Sequence, residues 1–567
     1  MIHLILSLVK NRAMRKIKCI TFINKQIALF IELIYFFSVF IVRKLFFSFT
    51  TAVLLWSLYL VLHPLLLGTE ERKLNKAVDL TSGDDKLPKV IGVQNESVLK
   101  VDNTVLTDDD ILSQIKIKHP NVFVAHLRDS GPRFNKTCGL YVNPLDIHYN
   151  NIYWQQQKTD NESYILYGAY FDGRPAAGGR IIRILAMIDK INLTENANCL
   201  LWFGNEKPAF SKISHSLYIW NTKWGAKNES LHPYVLSCSI PKEYGDRVPD
   251  SVTLVGRPCD RATNNLRVVH NPLQEEYKKD FVVCVKALNL KHNASFAIRL
   301  VEWIELLRIL GADKIVFYEL HVHENITRVL EHYEKTWNVE IIKVTMPGHY
   351  ANIPDLMPTY LKHRGASKRL QELIYFTDCL YQNMYQYQYV VLLDVDEVIV
   401  PRGEIKTWQQ LIYDITLPEA VAAKNITYAS FIARNVYFMD DKKELNDWYL
   451  EIPKYMHMLQ HVRRDRNYIK PGGGIKAFHN TDLILALHNH FARACIGNPN
   501  LSCPRYDFDL KDAHLQHYCT ARKNPGCTSP RNLTLDTNVW RFKHELIDAV
   551  KATLKETGFL KKSNLTL

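Results

Sequence analysis

The middle of the chain alternates short apolar runs with segments in which apolar residues recur at helical spacing. The runs 281–285, 314–320 and 339–344 predict buried strands. The first helical segment has Ser295 as a candidate N-cap and Gly311 as its end. Strands that alternate with helices in this way predict an α/β fold with a mostly parallel sheet and right-handed crossovers.

A further helical segment, 370–384, leads into the apolar run 390–393, which ends at Asp394, Asp396 and Glu397. Open α/β sheets bind their ligands at the carboxyl ends of the strands. Two carboxylates one residue apart at that edge can hold a divalent cation that bridges the phosphates of a nucleotide. An enzyme that transfers a sugar from a nucleotide donor needs such a site, because the metal takes up charge on the departing diphosphate. An exposed acidic turn is the alternative, and the strand–helix context favours the metal site.

The pattern is different on the amino-terminal side of the α/β region. Residues 118–275 carry short apolar and aromatic runs separated by Gly, Asn and Pro, which predict a smaller β-rich, sandwich-like domain. The α/β pattern is assigned to a second domain at 276–567. Before both domains, residues 68–117 are polar and poor in aromatic residues, which predicts a stem.

An apolar segment near the amino end predicts a membrane anchor. Residues 45–67 contain no acidic or basic side chain except one histidine, and this length is enough to cross a bilayer. Basic residues precede the segment and an acidic pair follows it, so 1–44 should be a cytosolic tail and the rest lumenal. A second apolar stretch, 27–42, contains Glu32. It could be another span, an interfacial helix or an upstream extension, and the pattern leaves these alternatives open.

Two counts favour a lumenal body. Of the eleven cysteines only Cys19 precedes the anchor, and the other ten form an even set, as expected for structural disulfides in an oxidising compartment. Glycosylation sequons occur eleven times, against about three expected by chance, and all follow the anchor. They begin at Asn95, Asn135, Asn161, Asn192, Asn228, Asn293, Asn325, Asn425, Asn500, Asn532 and Asn564.

The formal net charge of +13 does not indicate nucleic-acid binding. Residues 1–67 hold eight basic residues and one acid, so more than half of the excess lies in and before the predicted anchor. No basic run with interleaved aromatic residues follows, which excludes a nucleic-acid partner.

Several separated blocks then carry a family resemblance. CVKALNLKHN, EWIELLRILGADKIVFYELHV, QELIYFTDCLYQN, YVVLLDVDEVIVPRG and DAHLQHYC appear in this order between residues 280 and 541. Together they resemble glycosyltransferase family 92, formerly domain of unknown function 23. The resemblance implies a GT-A-type nucleotide-sugar-binding domain in a single-pass type II protein of the Golgi membrane. It further implies an inverting transferase that adds galactose from UDP-galactose to a glycan or glycoprotein acceptor, with manganese (Mn2+) as cofactor.

The resemblance and the strand pattern together predict the ligands of the metal site. Asp396 is the first candidate ligand, and Asp394 lies beside it on the metal or on the ribose of the donor. Glu397 matches an acidic residue of the family and has either a catalytic role or the role of orienting a neighbouring group. Enzymes of the GT-A type generally take a further ligand from a downstream histidine. His488 and His490 are candidates because an extended strand would turn both towards one face, and His517 is the rival because it matches the family's His-Tyr pair.

The remaining candidates surround the nucleotide and the acceptor. Lys286, Leu288 and Tyr318 lie at the ends of the first two strands, where they should flank the uridine and its ribose. Asp378 matches an Asp-Cys pair of the family and can brace the site from behind. An ordinary loop or helix position explains each of these residues as well.

Inversion needs a general base that deprotonates the acceptor hydroxyl. Asp440 and Asp441, just past an apolar strand, are the first candidates, and a solvated acidic loop is the alternative. The glycine-rich segment 471–474 could be a mobile lid or a plain turn.

Two other function classes compete with a transferase. A membrane-anchored glycan-binding ectodomain could keep the fold without turnover, but a pure binder has no need of a phosphate-bridging metal. A glycoside hydrolase would need two carboxylates facing each other across a sugar, and nothing in the sequence marks such a pair.

Overall fold

The structure is a computed structural model that describes residues 107–119, 121–123, 138–194, 197–226, 229–424, 426–440, 448–497, 503–519 and 533–560. The predicted tail, the anchor and the stem up to residue 106 lie outside this part of the chain. No helix within it is long and apolar enough to cross a membrane. The last residues of the predicted stem form helix α1 (Asp108–Lys118), because Thr107 and Asp110 make a reciprocal capping box.

Nine strands occupy the region assigned to the β-rich domain. They form one sheet in the order β1-β2-β3-β4-β7-β6-β5-β8-β9, and β9 also pairs with β3. The sheet therefore closes on itself, where two facing sheets had been expected. The strands are β1 (Tyr149–Asn151), β2 (Trp154–Lys158), β3 (Ser163–Asp172), β4 (Ile181–Ile188), β5 (Asn198–Trp202), β6 (Ala209–Tyr218), β7 (His232–Ser239), β8 (Ser251–Val255) and β9 (Leu266–Val269).

A second sheet of seven strands follows, in the order β12-β11-β10-β13-β18-β15-β21. The first four are parallel to one another, and β18 pairs antiparallel with both β13 and β15. The mixed α/β fold predicted from the sequence is confirmed. The strands are β10 (Lys279–Leu290), β11 (Lys314–Val322), β12 (Val339–Lys343), β13 (Tyr387–Leu393), β15 (Ser430–Ala433), β18 (Lys476–Asn480) and β21 (Arg505–Asp507).

Helices connect the parallel strands. Gly311 ends helix α2 with φ +99°, as its position predicted, but the hydroxyl of Ser295 makes no capping bond and donates to Asn293 instead. A seven-residue π-helical segment (Gln410–Thr416) precedes α6. The helices of this region are α2 (Phe296–Leu310), α3 (Glu324–Thr336), α4 (Met357–His363), α5 (Gly365–Asn383), α6 (Leu417–Ala423), α7 (His457–Gln460) and α8 (Lys543–Glu556).

Two smaller sheets complete the region around the acidic motif. A five-stranded sheet has the order β14-β22-β16-β17-β23, and a two-stranded hairpin pairs β19 with β20. Their strands are β14 (Glu397–Pro401), β16 (Asn435–Met439), β17 (Arg463–Asp465), β19 (Ile484–His488), β20 (Phe491–Cys495), β22 (Ala513–Cys519) and β23 (Leu533–Leu535).

The central parallel strands are covered on both faces, which explains their unbroken apolar sequences. Along β10, Val283 and Val285 belong to the core that contains α2, whereas Val282 and Cys284 belong to the core that contains α5. The second core also includes Trp154 of the closed sheet, so α5 lies between the two sheets. Both sheets lie within one compact unit, Thr104–Leu567, and the boundary near residue 275 stays a prediction.

Four disulfides between cysteines that the structure describes confirm the prediction of structural bridges. Cys284–Cys379 joins β10 to α5, and therefore fixes the strand that leads into the acidic edge. The others are Cys138–Cys259, Cys199–Cys238 and Cys495–Cys503.

Candidate active site

A cavity of about 540 Å³ lies at the carboxyl end of the parallel strands. Strands β10 and β13 pair as far as Val285 and Leu393, so the residues that follow each strand meet at this edge. Helices α4 and α5 contribute further walls. The lining residues are Val285, Lys286, Ala287, Leu288, Asn289, Leu290, Pro358, Leu361, Lys362, Lys368, Asp394, Val395, Asp396 and His517.

The first carboxylate of the motif, Asp394, lies between two lysines. Lys286 Nζ is 2.9 Å from one carboxylate oxygen and Lys476 Nζ is 3.3 Å from the other. Burial alone would raise the pKa of Asp394, but the two lysine charges outweigh it and hold that pKa well below its usual range. Both oxygens of Asp394 are thus engaged by ammonium groups, and its clearest role is to hold Lys286 at the cavity wall.

Lys476 is completely buried and links the motif to its surroundings. Its Nζ is 3.0 Å from a carboxylate oxygen of Glu397 and 2.8 Å from the side-chain oxygen of Asn489. A buried ammonium group needs such partners, because desolvation of an isolated charge is costly. Glu397 is also buried, with 3 % of its side chain exposed.

Glu397 orients His517, which is one of the two roles expected for it. Its second carboxylate oxygen is 3.0 Å from His517 Nδ1, and the two residues pair directly across β14 and β22. A carboxylate in this place keeps the proton on Nδ1 and leaves the lone pair of Nε2 free for a ligand. The buried pair of Lys476 and Glu397 therefore fixes the direction of the His517 ring.

Asp396 and His517 face each other at the cavity. Nε2 of His517 is 3.9 Å from a carboxylate oxygen of Asp396, and half of the Asp396 side chain is exposed. The backbone N–H of Tyr518 donates to the carbonyl of Asp396 and ties the two segments together. Desolvation, followed by repulsion from Glu397, raises the pKa of Asp396 to about 6.

The charges around the motif suit a divalent cation. Asp394, Asp396 and Glu397 carry three negative charges against the two ammonium groups, and one negative charge is left beside the His517 lone pair. Among the described residues, no three His, Cys, Asp or Glu side chains converge on a common metal position. A carboxylate and an imidazole nevertheless fit a cation whose other ligands are phosphate and water oxygens, as magnesium-type sites use few protein ligands. Asp396 and His517 thus fit the implied metal as a pair.

Lysines line the rest of the cavity wall. Burial would lower the pKa of Lys286, but the charges of Asp394 and Glu372 raise it, so this side chain stays protonated. Lys362 on α4 and Lys368 in the first turn of α5 line the same cavity. Their charges and the amino end of α5 make this wall suitable for a polyanion such as a diphosphate.

The structure separates the other two histidine candidates from the pair. Strand β19 ends at His488, and His490 belongs to the tight turn before β20, so the extended geometry that would align both rings does not exist. His490 Nδ1 contacts the carbonyl of Ile475 at 3.1 Å, and the His488 ring packs against Trp224 and Phe491. The prediction that these histidines share a metal site with Asp396 is not supported.

Tyr318 and Asp378 lie in the core and not at the cavity. The tyrosine hydroxyl donates to Asp378 at 2.6 Å, and both side chains are fully buried. Tyr170 of the closed sheet donates to the same carboxylate. The structure thus places Tyr318 away from the cavity where its contact with the donor was predicted, since its ring packs in the core that joins the two sheets. Lys286 and Leu288 do line the cavity.

Asp440 is not brought to the cavity either. Its carboxylate lies 3.4 Å from Arg299 and 3.8 Å from His457, with 6 % of the side chain exposed. A carboxylate held in such a cluster is poorly placed to receive a proton from an acceptor. Asp441 lies outside the described residues, and its role as a base stays a prediction. The glycine-rich turn contacts the site indirectly, because Asn435 donates to Gly474 and also contacts His517.

Sequence reasoning missed three lysines of the candidate site. Lys476 had a detectable signal, because a lysine inside the apolar run that becomes β18 needs a buried counter-charge. Lys362 and Lys368 had none, since each looks like a solvated residue of a helix. Only the packing of α4 and α5 against the edge of the sheet brings them to the cavity.

Solved glycosyltransferase structures are weakly similar to this chain. The match to residues 1–349 of S. aureus TarS has a TM-score of 0.23 and 11 % identity, and covers 50 % of this chain and 76 % of that one. The match to the WbbM bifunctional glycosyltransferase has a TM-score of 0.17 and 14 % identity. It covers 38 % of this chain and 35 % of that one. The match to mouse xyloside xylosyltransferase 1 has a TM-score of 0.18 and 11 % identity. It covers 36 % of this chain and 67 % of that one. Scores this low do not establish a common fold.

The sequence itself matches a family. No curated protein matches the chain significantly. Residues 279–556 match glycosyltransferase family 92. This range contains the cavity, Asp396, His517 and the two lysines that pair with Asp394, which are Lys286 and Lys476. Over this range, 278 of the 567 residues, the chain is similar to glycosyltransferase family 92.

Proposed function

We propose that this glycosyltransferase is an inverting, metal-dependent enzyme that transfers galactose from UDP-galactose to a glycan acceptor in the Golgi lumen. One observation carries the proposal: the cavity at the end of the parallel strands combines Asp396 and His517 with a wall of lysines. A nucleotide-sugar donor presents a diphosphate, and such a group is recognised by cations on one side and a metal site on the other.

In this proposal Lys286 binds a phosphate oxygen of the donor. Its ammonium group is at the cavity wall, 30 % of the side chain is exposed, and Asp394 fixes its direction. Lys362 and Lys368 extend the positive wall and hold the diphosphate in one orientation. Orientation of this kind lowers the barrier because the donor no longer has to be aligned in the transition state.

Asp396 and His517 would hold the metal, which when bound supplies positive charge to the departing diphosphate. Glu397 keeps the His517 ring in the required tautomer and direction. Lys476 in turn holds Glu397, so a fully buried residue supports two carboxylates of the site.

Location in the Golgi and the type II anchor belong to the same proposal. The sequon excess, the even cysteine set and the four disulfides support a lumenal domain. Digestion of the expressed protein with an endoglycosidase should reduce its apparent mass by several glycans. An unchanged mass would contradict the lumenal assignment.

A donor screen tests the function. The whole chain, purified in detergent because of its apolar amino-terminal segments, is incubated with manganese and one UDP- or GDP-sugar at a time, with and without mixed glycan acceptors. We expect UDP release to be fastest from UDP-galactose and to stop when EDTA is added. NMR of the product should show a linkage whose anomeric configuration is opposite to that of the donor. Absence of nucleotide release from every donor would contradict the proposal.

A further inference from the structure

A group of aromatic side chains lies beside the acidic motif and has no place in the proposed donor site. Trp224, on a 3₁₀ turn of the closed sheet, is 41 % exposed. Its ring centre is 4.9 Å from that of His488 and 5.6 Å from that of Phe491. His488 stacks on Phe491 at 4.5 Å with an interplanar angle of 19°. We call Trp224, His488 and Phe491 the aromatic platform.

His488 adds a directed hydrogen-bond donor to the aromatic platform. Its Nδ1 accepts from the backbone N–H of His490 at 3.3 Å, so a neutral ring carries its proton on Nε2. Burial, with the charges of His490 and Lys476, lowers the pKa of His488 to about 3, and the ring is neutral at physiological pH. No acceptor for the Nε2–H is found in the described part of the chain. A half-buried donor without a partner is a group that a ligand can satisfy.

The aromatic platform is held rigidly although its outer ring is exposed. Trp220 is almost fully buried beneath Trp224, and the two rings meet edge to face at 5.1 Å. The guanidinium of Arg493 donates to the carbonyls of Tyr218 and Trp220, so the turn and the hairpin are bound to each other. The Nε atom of Arg493 is buried and has no hydrogen-bond partner among the described residues. The platform is thus ordered before any ligand arrives, which reduces the entropic cost of binding.

The hairpin of the aromatic platform is connected to the acidic motif through Asn489 and the buried Lys476. Lys476 contacts Asp394 at 3.3 Å and Asn489 at 2.8 Å. Asn489 is the neighbour of His488 in the turn of the β19–β20 hairpin. The hairpin that carries His488 and Phe491 is therefore fixed to the acidic motif through Asn489 and Lys476.

We propose that the aromatic platform binds a pyranose ring of the acceptor glycan. The apolar face of a pyranose packs on flat aromatic rings, while its hydroxyls need directed polar partners such as the Nε2–H of His488. A second nucleotide would call for charged groups to meet its phosphates, and Trp224, Phe491 and the neutral ring of His488 supply none. The inference rests on the proposed transferase function, because that function supplies the reason for an acceptor at this place.

The chain's own glycan is the rival occupant. A sequon begins at Asn228, four residues after Trp224, and a glycan attached there could reach the same rings. Asn228→Gln removes this possibility without changing any residue of the aromatic platform. The variant therefore belongs in the experiment.

The test measures sugar binding and transfer separately. Saturation-transfer NMR with the whole chain records binding of methyl β-galactoside, methyl β-N-acetylglucosaminide, methyl α-mannoside and methyl α-fucoside. We expect at least one of them to bind to the wild type and to Trp224→Phe, and to bind roughly tenfold more weakly to Trp224→Ala. Tyr277→Ala, which removes a 73 % exposed ring in the segment between the two sheets, is the matched control and should bind as the wild type does.

Kinetics then assign the bound sugar to the acceptor. In Trp224→Ala the KM for the bound glycoside should rise roughly tenfold, a loss of about 1.4 kcal/mol in binding free energy. Hydrolysis of the donor without acceptor should stay unchanged, because the donor cavity is intact.

Three results would overturn the inference: equal binding by Trp224→Ala, no binding of any glycoside by the wild type, or binding that appears only in Asn228→Gln. Failure of the proposed function looks different. In that case neither the wild type nor any variant turns over a donor, while glycoside binding still depends on Trp224.

Discussion

Replacement of Lys476 by methionine tests the electrostatic core of the site. The side chain has no exposed area and makes ion pairs with Asp394 and Glu397. Removal of one partner from a buried ion pair typically costs about 3 to 5 kcal/mol, because the remaining charge stays buried without compensation. Lys286 still pairs with Asp394 in the variant, so Glu397 becomes the uncompensated group and the loss should lie near about 3 kcal/mol.

The expected change in thermal stability follows from the size of the folded unit. About 460 residues at roughly 2.1 cal/mol/K each give an unfolding entropy of about 1 kcal/mol/K, so a loss of about 3 kcal/mol lowers the Tm by about 3 °C. Differential scanning calorimetry of Lys476→Met measures this shift. Lys511→Met is the control, because Lys511 is 64 % exposed and each of its ion pairs, with Glu419 and Asp512, should contribute about 0 to 1 kcal/mol.

A double variant identifies the cause. Lys476→Met combined with Glu397→Gln removes the uncompensated charge together with its partner, and should recover part of the lost Tm. A Tm for Lys476→Met within 1 °C of the wild type, or equal to that of Lys511→Met, would refute the reasoning.

Three further predictions address other parts of the molecule. Lys286→Met should weaken UDP binding about tenfold or more, equivalent to about 1.4 kcal/mol. Isothermal titration calorimetry in EDTA tests this independently of the metal. Unchanged affinity would contradict the proposed phosphate contact. Burial raises the pKa of Glu302 from 4.5 to about 7, so the folded chain holds a proton that the unfolded chain releases; stability should therefore fall as the pH rises from about 4.5 to about 7, and Glu302→Gln should flatten that decline in Tm against pH. The variant with both Cys284→Ala and Cys379→Ala should lose about 2 to 5 kcal/mol of stability, measured by denaturant unfolding; a smaller loss than about 1 kcal/mol would show that the bridge does not constrain the sheet.

The parallel part of the fold was predictable because its signals are local. Each apolar run became a strand, and Gly311 ended a helix where its position indicated. The closure of the first sheet was not predictable, since the pairing of β9 with β3 joins residues about a hundred positions apart. No periodicity within either strand records that contact.

The candidate site was predictable only in part. Asp396 and Lys286 follow directly from the ends of strands, and both line the cavity. The choice of His517 over His488 depends on the register between β14 and β22 and on a turn that ends β19 before His490. The position of Tyr318 in the core was not predictable from its place near a strand end. Successive side chains of a strand point to opposite faces, and the sequence does not show which face meets the ligand.

The central claim is that Asp396 supports transfer through the metal site, and turnover of Asp396→Asn tests it most directly. The substitution removes a charge at a half-exposed position while keeping the shape, so the Tm should hardly change. Release of UDP from UDP-galactose is measured against manganese concentration, with Asp482→Asn as a control at an exposed carboxylate that pairs with Lys278. We predict a loss of roughly a hundredfold or more, equivalent to about 2.7 kcal/mol of transition-state stabilisation, and full activity for the control. Retention of more than about a tenth of wild-type turnover, a loss below about 1.4 kcal/mol, would contradict the account.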